Sequence, residues 1–290
     1  MSASRPFCSD ISRENDESLG ATASRIDRWL LVEYRGLWSS DALAGSGLSD
    51  QVKARLRELR ATGPRTRLLL IRRPDRRHHH GLSVYVADSR EGKEQLGHLE
   101  IPHHEDLRGV DPWTSASPSA EPLFLVCTHG KHDRCCARSG RPLFDALNEQ
   151  LVAESVWQCT HVGGDRFAGN VVCLPHGVYY GRVERDDIPG LVDEHLSGHI
   201  ALEHYRGRSC WPFAVQAAER RIRAEEGLTA LDDLSLTALT ATAERRWAVT
   251  FSTPAGLREV EVVGEWGELT QLTCNADAAK RPLRYVAMPR

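Results

Sequence analysis

Two short apolar runs, residues 123–126 (Leu-Phe-Leu-Val) and Val156–Cys159, each lead into the tripeptide Cys-Thr-His, and this recurrence constrains the chain more than any other feature. Apolar runs of this length fit buried strands. Each His is followed within a few residues by Gly, so both strand ends open into loops whose backbone can be approached closely. Five of the eight cysteines fall in this stretch: Cys127, Cys135, Cys136, Cys159 and Cys173. His129, His132 and His161 lie among them. A strand that fixes a first thiol, with more thiols and imidazoles in the loop beyond it, is a natural frame for a metal centre.

Spacing sharpens the expectation. Cys127 and Cys136 are nine positions apart, enough for a loop to fold back around an ion or cluster. On an extended strand Trp157, Cys159 and His161 share one face. The Gly163-Gly164 pair permits a tight turn that returns Asp165 to the side of His161.

A chain of 290 residues is expected to form about two domains. Its net charge of −3 offers no reason for a nucleic-acid partner. The start has no apolar core of signal-peptide length, and no run approaches the ~18 apolar residues of a membrane span. The expected setting is therefore cytoplasmic, with no membrane association. Thiols stay reduced there, and cysteines serve as ligands or small buried residues more often than as disulfides.

Along the chain, residues 1–23 read as a mobile polar tail and 24–110 as an α/β lobe. That lobe has strands at 28–34, 67–71 and 82–87, a further one at 94–101, and a helix at 48–61 capped by Ser49 or Asp50. Residues 111–122, rich in Pro and Ser, read as a linker. The lobe at 123–200 then gives strand 123–127, helix 141–153, strand 156–160, a short helix near 165–169, strands 171–174 and 178–183, and helix 188–197. This is the order of a thioredoxin-like lobe, and the first half suggests a degenerate copy of it. Residues 201–290 read as a small α+β appendage. It has a helix ended by Gly227, a second Leu-rich helix over 228–240, and a β-hairpin around Pro254-Ala255-Gly256.

The motifs CTHGKHDRCCA, THVGGDRFAGN and LPHGVYYGRV together resemble the sucrase/ferredoxin-like family, a branch of the thioredoxin-like [2Fe-2S] ferredoxins. The resemblance covers roughly 25–198. It implies an α/β thioredoxin-like ferredoxin fold, a [2Fe-2S] cluster, and electron transfer or redox sensing with a reductase and an acceptor protein as partners. It assigns Cys127, Cys136 and His161 as cluster ligands. Where the bis-histidine branch has a second His, this chain has Asp165. The fourth ligand is therefore Asp165 or a substitute, Cys159 or Cys135. No paired-carboxylate signature of a glycosidase accompanies these motifs.

Two other readings use the same residues. A structural Zn²⁺ accepts Cys, His and Asp in a tetrahedron. A thioredoxin-like thiol oxidoreductase would use the vicinal Cys135 and Cys136, although the usual Cys-x-x-Cys spacing is missing. His129 and His132 read as solvated loop residues. Arg134 and Arg166 read as positive charge flanking the centre. The runs His78-His79-His80 and His103-His104-Glu105-Asp106 read as polar loops. Cys173 reads as core, and Cys8, Cys210 and Cys274 have no partner at ligand spacing.

Overall fold

The computed structural model describes residues 6–73 and 81–289, and the His78-His79-His80 run lies outside them. The described chain opens with α1 (Cys8–Glu14). The first half then runs β1 (Arg28–Glu33), α2 (Asp50–Ala61), β2 (Thr66–Arg72), β3 (Leu82–Asp88) and β4 (Gln95–Ile101). It ends in α3 (Pro112–Ser115) and the short β5 (Ser117–Pro118). The Ser49 hydroxyl caps α2 by accepting from Val52 N, and Val52, Leu56 and Leu59 make its buried face. The second half runs β6 (Leu123–Cys127), α4 (Arg134–Gln150), β7 (Val156–Cys159), β8 (Val171–Leu174), β9 (Val178–Tyr180), α5 (Ile188–Leu196) and β10 (Tyr205–Arg208).

Both halves contribute to one ten-stranded sheet, in the order β10-β9-β8-β6-β7-β2-β1-β3-β4-β5. In the first half β1 is parallel to β2 and antiparallel to β3, and β3 is antiparallel to β4. In the second half β6 is parallel to β7 and antiparallel to β8, and β8 is antiparallel to β9. The same thioredoxin-like unit therefore occurs twice. The copies meet where β2 and β7 pair antiparallel, Ile71 opposite Cys159. An antiparallel seam with the same strand order outward on either side is what an approximate twofold requires. Leu123, Leu125 and Cys127 pack into a core on one face of the sheet, and Phe124 and Val126 join the core beneath α4 and α5 on the other. Burial on both faces explains why β6 is apolar throughout rather than alternating.

Beyond the sheet lie α6 (Phe213–Glu226), ended by Gly227 at φ 68°, and an antiparallel sheet of β11 (Ser235–Ala243), β12 (Arg246–Thr253), β13 (Gly256–Trp266) and β14 (Leu283–Ala287). Val215, Ala218 and Ile222 of α6 pack on Val249, Phe251 and Val262.

Four local expectations change. Residues 6–23 are not a mobile tail. Cys8, Ser9 and Ser12 of α1 are buried, and Arg182 Nη2 donates to the carbonyls of Ser12 and Glu17 at 3.1 and 2.7 Å. Polar composition concealed this because the buried polar groups find partners far along the chain. The 111–122 linker is partly structured: Asp111 caps α3, and β5 pairs with β4. The 228–240 segment is a loop followed by β11, not a helix. The richness in leucine suggested a helix, but Thr237, Thr240 and Thr242 favour a strand once β12 offers an edge. Finally, α4 begins at Arg134, seven residues before the expected start, and carries Pro142 inside it. Asp133 is its true N-cap, its carboxylate accepting from Cys135 N at 2.7 Å. Gly140-Arg141-Pro142 imitated a helix start because Pro favours the first turn. The longer helix places both Cys135 and Cys136 in its opening turn.

Candidate metal centre

β6 carries Cys127 at its C-terminal end, where Cys127 N donates to Asn170 O at 3.1 Å. The loop 128–133 then returns the chain, and the first turn of α4 presents Cys136. The next loop supplies His161 just past β7. Gly163 and Gly164, at φ 102° and 79°, make the turn that brings Asp165 back to it. Ligand atoms of Cys127, Cys136 and His161 all lie within 4.8 Å of one another, and so do those of His132, His161 and Asp165. His161 belongs to both sets and joins a thiol side to a carboxylate side. Cys136 Sγ donates to Asp165 Oδ1 at 3.3 Å, and His161 Nδ1 lies 2.9 Å from the same oxygen.

That last pair is close in distance, but the oxygen lies off the direction in which the ring N–H points. Nδ1 of His161 is therefore buried without a well-formed hydrogen bond. It is still ion-paired with the Asp165 carboxylate, so the imidazole and the carboxylate face each other across the centre. Two thiols and an imidazole are donors that iron accepts, so the residues present fit the expected cluster.

The electrostatics agree with thiolate character. The hydrogen bond from Cys136 pulls the Cys127 thiol well below its ordinary value, and His161 adds to the effect. The same bond pushes the Cys136 thiol up, with burial and Asp165 acting in that direction too. Burial would lower His161, but Asp165 and Cys127 outweigh it and raise the imidazole to about 9. Burial would likewise raise Asp165, yet His161 and Cys136 hold its carboxyl below the usual range.

The alternates part company. Cys159 sits opposite Cys127 on the parallel neighbour strand, fully buried, and belongs to neither set of converging atoms. Cys135 leaves this centre altogether. One residue before Cys136 on a helix, it points elsewhere and meets Cys8 and Cys274. The expectation that Cys8 and Cys274 lack partners is thus corrected for both. Their positions are 127 and 139 residues from Cys135, beyond the reach of any spacing rule.

His132 is brought in rather than left in solvent. Its ring stacks on His161 with centroids 3.9 Å apart, and His129 stacks on His132 at 5.6 Å. His129 Nε2 meets Ser39 O at 2.7 Å. The stack borders a cleft of about 440 Å³ against the first half, lined in part by Asp41, Arg67 and Leu70. The Cys side of the centre is buried, whereas His132 is 37% exposed. Arg166 does not stand as a lone positive charge, since Glu17 pairs with it at 2.8 Å. Arg134 Nη2 donates to Pro6 O. His103-His104-Glu105-Asp106 forms a capped turn in which His103 N donates to Asp106, while His104 Nε2 meets Glu33 O.

One supporting residue carried no sequence signal. Arg206, fully buried in β10, donates to Gly163 O at 3.1 Å, Asn170 Oδ1 at 2.7 Å and Thr22 O at 2.6 Å. Burial lowers its guanidinium to about 10. It holds the Gly163-Gly164 turn from below, and so the placement of His161 and Asp165.

Among known proteins, the chain is 39% identical over 95 residues to "Altered inheritance of mitochondria protein 32" of Meyerozyma guilliermondii, covering 29% of this chain and 34% of that one. To the protein of the same name in Clavispora lusitaniae it is 33% identical over 140 residues, covering 40% and 51%. These matches thus span between a third and about half of the curated relatives' length. Among solved structures, the thioredoxin-like [2Fe-2S] ferredoxin from Aquifex aeolicus is 21% identical with a TM-score of 0.28, covering 31% of this chain and 100% of that one. The sucrase/ferredoxin-like family profile matches residues 19–207, well over half of the sequence. This chain belongs to the sucrase/ferredoxin-like family.

Proposed function

We propose that the chain is a one-electron transfer or redox-sensing protein that holds a [2Fe-2S] cluster at Cys127, Cys136 and His161, with Asp165 as fourth ligand. The observation that carries this reading is the convergence of the donor atoms of Cys127, Cys136 and His161 within 4.8 Å of one another. Family membership supports it. When bound, such a cluster supplies one-electron chemistry. The protein's own residues supply the rest. Cys127 and Cys136 anchor the buried side and exclude water. His161 and Asp165 replace two thiolates by one neutral and one anionic donor. All-thiolate sites lie near about −400 mV and bis-imidazole sites at about −150 mV or above, so this donor set should fall between them.

The stacked edge of His132 and His161 is the exposed side of the centre, and it faces the cleft. A reductase and an acceptor would approach there, over the shortest path to the ligands. The vicinal-thiol reading finds less support, because Cys135 and Cys136 face separate groups and present no common surface to a substrate.

The test is the visible and EPR spectra of protein purified without oxygen, wild type beside Asp165→Ala and Cys159→Ala. The expected result is a red-brown protein with a signal of one unpaired electron on reduction. Asp165→Ala should shift both spectra, and Cys159→Ala should leave them in place. Colourless protein from iron- and sulfide-replete cells, with zinc at Cys127 and Cys136, would refute the reading and favour a structural ion.

A further inference from the structure

A second group of ligands stands behind the first. Cys8 of α1, Cys135 of α4 and Cys274 of the C-terminal segment bring their sulfurs into a nearly equilateral triangle, with sides of 3.5, 3.3 and 3.6 Å. Asp133 lies beside it, its oxygens 3.9 and 4.0 Å from Cys8 Sγ. Residues 8, 133 and 135 are fully buried, and Cys274 is 3% exposed.

We infer that Cys8, Cys135, Cys274 and Asp133 bind one thiophilic divalent cation, zinc being the ion they fit best. Zinc–thiolate bonds of about 2.3 Å place the sulfurs of a tetrahedral site about 3.8 Å apart. The observed triangle needs only a few tenths of an ångström of expansion. A two-iron cluster asks for two pairs of donors rather than one triangle, so a single ion matches better.

Simple thiol packing does not explain the rest of the group. Asp133 is a carboxylate side chain with no exposed surface. A buried polar group of that kind needs partners for its oxygens. A carboxylate offers about four acceptor positions. Three are taken, by Cys135 N at 2.7 Å, Cys274 N at 2.6 Å and Thr273 Oγ1 at 2.7 Å, and the Cys8 thiol donates weakly to the same carboxylate at 3.9 Å. Loss of the Cys8 proton on binding frees that position for the ion. Donors are also aimed at the sulfurs: Ser9 Oγ at Cys135 Sγ, 3.2 Å, and Cys8 N at Cys274 Sγ, 3.4 Å. Hydrogen bonds onto sulfur are the surroundings that orient metal-bound thiolates. Binding displaces the protons of the three thiols to solvent, and no oxidant takes part. With four protein donors the site is closed, which suits a structural ion. It ties the two ends of the chain to the turn of α4 that also carries Cys136.

The inference does not depend on what occupies the first centre. The test is zinc and iron content per chain in untagged full-length protein, with Co²⁺ substitution as a second probe. Wild type should hold one equivalent of zinc and give intense tetrahedral Co²⁺–thiolate absorption. Cys8→Ser and Cys274→Ser should lose zinc at least about tenfold, while Cys127→Ser keeps it. Zinc-free wild type after zinc dialysis, or a disulfide among the three cysteines in reduced-purified protein, would overturn the inference. Zinc retained in both serine variants would do the same. If those variants fail to fold by circular dichroism, the stoichiometry and Co²⁺ spectrum of wild type and Cys127→Ser still decide the matter.

Discussion

Gly140 is one turn beyond Cys136 on the same face of α4, and its place is set by contact with the centre. A Cβ built there would lie 2.1 Å from the carbonyl oxygen of Cys127 and 3.0 Å from its carbonyl carbon. An ordinary carbon–oxygen contact is about 3.3 Å or more, so Gly140→Ala must separate helix and strand by about 1 Å. Neither side yields easily. The obstacle is backbone, and β6 is held by β7 and β8 on its two edges. Helix propensity alone would favour Ala by about 1 kcal/mol, whereas overpacking costs about 1–3 kcal/mol and occasionally more. With backbone as the obstacle the upper end applies, leaving a net loss of about 2 kcal/mol. Melting should fall by several degrees, at about 2–4 °C per kcal/mol for a chain of this size. The displacement also exceeds the ~0.5 Å within which site geometry must be held. Iron per chain should therefore drop together with the melting temperature, measured by calorimetry and metal analysis on one preparation. Unchanged or raised melting with full iron would show that the contact between α4 and the end of β6 does not position Cys136.

Three further outcomes follow from buried groups. Gly164→Ala places a side chain at φ 79°, with its Cβ 2.3 Å from Arg206 Nη2. It should destabilise by at least about 1–2 kcal/mol and speed iron loss to a chelator. Glu219 and Arg223 form a 2.8 Å ion pair with no exposed surface, and Tyr205 donates to the same carboxylate. Glu219→Ala leaves the cation alone and should cost about 3–5 kcal/mol in urea unfolding, with Glu219→Gln costing less. Burial holds His195 at about 4, below the ~6.5 of an unfolded His. The unfolded chain takes up that proton first, so this contribution is whole above the unfolded value and drains as pH falls toward 4. Between pH 7 and 5, wild type should lose about 2 kcal/mol more than His195→Gln, as read from urea midpoints at the two pH values.

Local patterns exposed much of this molecule in advance. The runs that became β6 and β7 announced themselves as short apolar segments, and Gly163-Gly164 announced the return of Asp165 to His161. Ser49 and Gly227 marked helix ends by their own chemistry. What stayed hidden depends on distance along the chain. Cys135 looked like a weak duplicate of Cys136 because its partners come from the two termini. Arg206 gave no signal because the carbonyls it holds lie some forty residues back, at Gly163, and further still, at Thr22. His132 looked solvated because only the folded loop stacks it on His161. Pro142 misled in the opposite way, since a helix with a stronger cap upstream absorbed it. A residue whose role is set by neighbours in sequence can be read from sequence, and one set by the closing of a sheet cannot.

The antiparallel join of β2 to β7 has one more consequence. Two separate lobes meeting along those edges would form this cleft only at concentrations above their dissociation constant. Carried on one chain, they meet at a local concentration fixed by the connector, whatever the abundance of the protein. The join also covers two strand edges that would otherwise invite pairing with other molecules. The wall opposite His129, His132 and His161 thus stays in place at any dilution, and whatever reaches those rings must pass between the copies.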